Sequence, residues 1–145
     1  MEAIFLDTSA LIKLYRQEMG STWLRSFVIK KHVVISELAL LESATVIGKY
    51  FRKGDFSRTD AISLFRRLCE KSADYEVIPV NFTILQDAIV NVAIPSAILN
   101  PKLFVRALDA IHIASAKLAR DAAINQSPSM PFTLVSADAQ MIRVA

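Results

Sequence analysis

Short apolar runs alternating with helix-length segments constrain this chain more than any other feature of its sequence. Ala3 to Leu6 is apolar at every position and ends on an acid, Asp7. A strand with no polar alternation must be covered on both faces, which is how strands behave in a parallel sheet held between helices. His32 to Ile35, Tyr75 to Val80 and Phe132 to Val135 read as three further strands. Thr8 and Ser9 offer capping hydroxyls before Ala10 to Tyr15. Ser21 caps a helix through Lys30, with Trp23, Leu24 and Phe27 on its inner face. Ser36 caps a long helix from Glu37 to Lys53, stopped near Gly54. Ser57 begins its hairpin partner, which runs to about Ala73 with Ile62, Phe65 and Cys69 at helical spacing. Asn81 or Thr83 starts a helix to about Ala93, and Pro95 and Pro101 bracket an irregular stretch. Phe104 to Arg120 is a strongly periodic helix, Asn125 to Pro131 a polar loop, and Ala137 to Val144 a short closing helix. Strands alternating with helices specify an α/β fold: a central, mostly parallel sheet with helices on both faces.

Composition narrows the function classes. A chain of 145 residues suits one domain, 1–145, with a core of its own. At 53% hydrophobic it buries enough surface to exclude disorder. Its mean hydropathy of +0.37 raises a membrane reading. Glu37 and Glu42 interrupt the apolar stretch from Val34 to Ile47, and Asn91 and Pro95 interrupt Ile89 to Leu99, so neither offers about 18 unbroken apolar residues. The start MEAIFLDTS has no basic region of the kind that opens a secretory leader. One cysteine, Cys69, forms no internal disulfide and suits a reducing, cytoplasmic setting, where it reads as a small core hydrophobe. Three glycines leave no phosphate-cradling loop, hence no nucleotide cofactor site of that kind. A net charge of +3 permits a nucleic-acid partner without requiring one.

The informative residues are carboxylates. In an open parallel sheet, ligands bind beyond the carboxyl ends of the strands. Asp7 closes the first strand, and Asp138 follows Phe132 to Val135 after Ser136 and Ala137. Two more acids lie within helices. Leu38, Leu41, Glu42, Thr45 and Val46 share one helical face, and Val105, Leu108, Asp109, His112 and Ile113 share another. A buried carboxylate costs several kcal/mol unless it is paired or metal-bound. Four gathered together repel one another, and a hard divalent cation relieves that repulsion.

The segments that carry these acids are FLDTSALIKLY at Phe5–Tyr15, ISELALLES at Ile35–Ser43, RALDAIHIASA at Arg106–Ala116 and LVSADAQMI at Leu134–Ile142. Together and in this order the chain resembles the PIN-domain family, specifically the small VapC-type toxins of prokaryotic toxin–antitoxin systems. The resemblance implies a three-layer α/β/α sandwich with four strands, and five where members continue into a final edge strand. Because the sequence stops at Ala145, that strand is expected beyond it. It also implies an acidic pocket of Asp7, Glu42, Asp109 and Asp138, all four metal ligands for one or two Mg²⁺ or Mn²⁺ ions, with Ser9 as the small hydroxyl residue beside them. Asp7, Asp109 and Asp138 are then the principal ligands, and Glu42 ligates or orients the attacking water. The implied activity is endoribonucleolytic cleavage of RNA by a homodimer held inactive by a cognate antitoxin.

Several residues have plainer roles. Glu37, in the first turn of its helix, complements the dipole. His112, one turn after Asp109, reads as a hydrogen-bonded core histidine, the alternative being a residue that tunes the site. Lys49, Arg52, Lys53 and Arg58 surround the hairpin tip, with Arg66, Arg67 and Lys71 further along: a solvated basic face, or an RNA contact. A haloacid-dehalogenase-type phosphatase would need an acid where Ser9 stands, and a receiver domain would need one within Pro79-Val80-Asn81. The rival from another class is a PIN-like scaffold that binds RNA or a protein without cutting.

Overall fold

β1 (Ala3–Leu6) is the strand around which the computed structural model, which describes residues 2–102 and 105–145, is organised. It pairs with β2 (His32–Ser36) on one edge and β4 (Phe132–Val135) on the other, and β3 (Glu76–Ile78) lies outside β2. The order is β3-β2-β1-β4, with every pairing parallel. Among the described residues the sheet has these four strands, and β4 is at its edge.

Alternation along the strands divides the core in two. Ile4, Leu6, Val33 and Ile35 face α1 (Thr8–Leu11), α2 (Ser21–Phe27), α3 (Glu37–Lys53) and α4 (Arg58–Ser72). Phe5, Val34 and Ile78 face the other layer, made of α5 (Phe82–Asp87), a π-helical segment (Ala88–Ala93), α7 (Ala107–Gln126) and α8 (Ala139–Val144). α6 (Ile94–Leu99) continues the π-helical segment. This is the sandwich expected from strands apolar on both faces.

Local chemistry sets most helix ends. The Ser36 hydroxyl accepts the Leu38 N–H at the start of α3, and Gly54, at φ +82°, closes it in the left-handed region where a side chain would be strained. Ser57 and Asp60 form a reciprocal capping box on α4. Other expectations require correction. α2 ends at Phe27 rather than Lys30, and Trp23 points outward (57% exposed) while Leu24 is buried. On α4 the buried residues are Ala61, Leu64 and Leu68; Ile62 and Cys69 are exposed, so Cys69 is no core residue. On α3 the buried face is Ala39, Ser43 and Ile47, whereas Leu41 is 65% exposed, which puts Glu42 at the margin of the apolar face rather than its middle. In both helices the buried face mixes small residues with larger ones, Ala39 and Ser43 with Ile47 and Ala61 with Leu64 and Leu68.

The third interval differs too. The helical path continues through Pro95, the second residue of α6, which follows directly on the π-helical segment and has no N–H to donate. Taken as one run, Phe82–Leu99 is long and apolar enough by composition to cross a bilayer, a length the separate reading of Ile89 to Leu99 did not count. In this fold Ile84, Ala88 and Val92 pack with Ala110, Ile113 and Ala114 of α7, while Phe82, Ile98 and Leu99 are exposed. The expected helix start at Phe104 lies outside the described residues; α7 is described from Ala107 and extends to Gln126, past the expected loop boundary at Asn125.

The face assignment of α3 is testable by unfolding in urea. Ile47→Ala should destabilise the protein by about 2–5 kcal/mol, and Leu41→Ala by no more than ~0.5 kcal/mol. The reverse ranking would mean that α3 is rotated about its axis.

Candidate active site

The strand order changes direction between β1 and β4, and in open α/β sheets the ligand crevice opens there, beyond the carboxyl ends. Asp7 stands at that point. It is 4% exposed and caps α1, its Oδ1 accepting the Ala10 N–H at 2.8 Å. Ser9 Oγ donates across both carboxylate oxygens at 2.8 Å, and Ser136 Oγ donates to Oδ2 at 2.6 Å. An ionised carboxylate offers about four lone-pair sites, and these contacts place two on each oxygen. The two serines also tie the strand ends together. Ser9 Oγ accepts the Ala137 N–H at 2.8 Å, and Ser136 Oγ accepts the Asp138 N–H at 2.9 Å.

A second group joins three helices. Glu42 Oε1 accepts from Thr8 Oγ1 at 2.7 Å and lies 2.6 Å from His112 Nε2. The contact calls for a proton on Nε2. His112 is buried edge-on to Phe5, and its Nδ1 has no hydrogen-bond partner among the described residues. The reading of His112 as a core histidine and as a site residue thus applies at once. Burial pushes the Glu42 carboxyl up, but hydrogen bonds from His112 and Thr8, with the charges of His112 and Arg106, outweigh it and hold the group below its ordinary value.

The third group spans two helix N-termini. Asp109 lies in the first turn of α7, and Asp138 caps α8 by accepting the Gln140 and Met141 N–H groups on Oδ1. Arg106 bridges them: Nε to Asp109 Oδ2 at 2.7 Å, Nη2 to Asp109 Oδ1 at 3.1 Å, and Nη2 to Asp138 Oδ2 at 2.9 Å.

The structure thus brings Asp109 and Asp138 onto one cation and links Asp138 to Asp7 through Ser136, while Glu42 faces Thr8 and His112. Among the described residues no three His, Cys, Asp or Glu side chains gather closely enough to hold a single ion. The donor chemistry nevertheless fits a hard divalent cation. Mg²⁺ is commonly held by one or two carboxylates, with water and substrate phosphate completing its shell, and two carboxylates here converge on one guanidinium. Glu37 is separate, its Oε2 accepting the Val80 N–H. Lys49, Arg52, Lys53, Arg58 and Arg66 are exposed. Sequence reasoning took Thr8 and Ser9 for capping hydroxyls, a place that Asp7 fills, and did not single out Ser136 or Arg106. Only Arg106 had a local signal, three residues before Asp109 on the same helix.

The Glu42 contacts have a pH signature. With its carboxyl held below the ordinary 4.5, its contribution to stability is complete above that value and is lost as the pH falls through the lower folded-state value. Wild type should exceed Glu42→Gln by about 1 kcal/mol in urea unfolding at neutral pH, and the gap should shrink steadily below pH 4.5. A gap that grows on acidification would contradict the geometry.

A PIN-domain family model matches residues 4–145. No curated protein matches in sequence. Among solved structures, a toxin–antitoxin complex from Klebsiella pneumoniae aligns at a TM-score of 0.58 and 16% identity, over 93% of this chain and 86% of that one. The Mycobacterium tuberculosis VapC20, a toxin that cleaves the sarcin-ricin loop, aligns at a TM-score of 0.60 and 17% identity, over 81% and 83%. At such identities the two structures speak for the fold. Matched over nearly its whole length, the chain belongs to the PIN-domain family.

Proposed function

We propose that this chain is a divalent-metal-dependent endoribonuclease, the toxin of a type II toxin–antitoxin pair, hydrolysing RNA phosphodiester bonds at the pocket of Asp7, Glu42, Asp109 and Asp138. The observation that carries the reading is the convergence of Asp109 and Asp138 on one cation at the strand-order switch, beside the buried Asp7. Asp109 and Asp138, joined by Asp7, would hold Mg²⁺ or Mn²⁺. When bound, such an ion polarises a phosphoryl oxygen and makes water more acidic. Ser9 and Ser136 fix the Asp7 carboxylate. His112 and Thr8 keep Glu42 ionised, so that it can orient an attacking water and accept its proton. The exposed basic residues of the α3–α4 hairpin provide sequence-independent attraction for the RNA backbone. The antitoxin and a second copy of the chain are the expected protein partners, and the exposed apolar side chains of α5 and α6 supply surface for one such interface. Its setting is the cytoplasm.

One observation favours the scaffold reading: the pocket's acids already have internal partners, Arg106 for two of them and His112 for a third. Cleavage separates the two readings. Purified, antitoxin-free protein should cut a broad RNA pool with Mg²⁺ or Mn²⁺ and not with chelator, and Asp7→Asn should slow cutting by on the order of 10²-fold or more. Protein that binds the pool but cuts nothing with either metal would be a scaffold.

A further inference from the structure

Arg106 is the component of the pocket that the fold does not require. Its backbone caps α7, yet its side chain makes no capping bond. It turns instead across the helix start to lie between Asp109 and Asp138. Its side chain is 61% exposed while that of Asp109 is 13% exposed, so the carboxylates are the fixed partners and the guanidinium the movable one. An ion pair with one partner so exposed is screened and weak. Among the described residues, no other lysine or arginine bonds to any of the four acids.

Resting on the reading of this pocket as a metal-dependent nuclease, we propose that Arg106 is a displaceable internal cation: it neutralises Asp109 and Asp138 until a divalent ion takes their oxygens, and the freed guanidinium then binds the RNA phosphate. The planar fork that grips a carboxylate fits a phosphodiester equally well. Removing the guanidinium therefore has two effects of opposite sign. It removes a competitor of the ion and a ligand of the RNA. A residue that served only the fold would produce neither effect, and one that only bound RNA would leave metal affinity unchanged.

The test titrates Mn²⁺ into the full chain without RNA, read by electron paramagnetic resonance, for wild type, Arg106→Gln, Arg106→Lys and Asp109→Asn. Arg106→Gln should bind Mn²⁺ about two- to fivefold more tightly than wild type, Arg106→Lys should lie between them, and Asp109→Asn should bind more weakly. In the Asp7→Asn background with Mn²⁺ present, Arg106→Gln should also bind a labelled single-stranded RNA more weakly, with the log–log salt slope reduced by about one. Thermal melting guards against a folding artefact. Without metal, Arg106→Gln should melt below wild type, and Mn²⁺ should raise its midpoint by more than it raises that of wild type. Equal or weaker Mn²⁺ binding by Arg106→Gln overturns the internal-cation role, and an unchanged salt slope overturns the phosphate role. If neither wild type nor Arg106→Gln binds Mn²⁺, the nuclease reading falls as well, whereas equal binding by the two sinks this inference alone.

Discussion

The architecture depends on a strand that is buried on both faces, paired on both edges and finished by an acid. Ile4 and Leu6 anchor one helical layer, Phe5 the other, and parallel partners on either side leave β1 no solvent contact. Nothing so enclosed tolerates an unpaired carboxylate at its end. Asp7 is accommodated because two serine hydroxyls and one backbone N–H converge on it, and those same hydroxyls hold the start of the β4–α8 turn. The bonds that make a buried acid tolerable are therefore the bonds that place Asp138.

Charge compensation continues outward from this point. Each acid of the pocket meets an internal donor: Asp7 takes hydroxyls, Glu42 an imidazole and a hydroxyl, Asp109 and Asp138 a shared guanidinium. Acids brought together repel, and with Arg106 in place that repulsion is relieved without a metal.

The sequence made the layers legible because their signals are local. Full-length apolarity in Ala3–Leu6, the serine caps at Ser36 and Ser57 and the glycine at Gly54 each act within a few residues, and the strand and helix limits follow from them. Helix faces were less legible. An apolar-stripe argument weighs Leu41 and Ile62 heavily and Ala39, Ser43 and Ala61 hardly at all, yet the small residues are buried and the large ones exposed. The four acids could be picked out because strand ends and helix stripes mark them. Their partners mostly could not, since Ser136 reaches Asp7 across 129 positions and His112 reaches Glu42 across 70. Nothing in a linear pattern reports such pairs.

We propose that this end of the sheet takes a divalent ion in the place the guanidinium holds. Anomalous difference density from crystals grown with saturating Mn²⁺ tests this directly. A manganese peak is expected on the Asp109 and Asp138 oxygens, with Asp7 facing it and the Arg106 side chain swung away. Crystals with no peak there and Arg106 still bridging the two acids would contradict it.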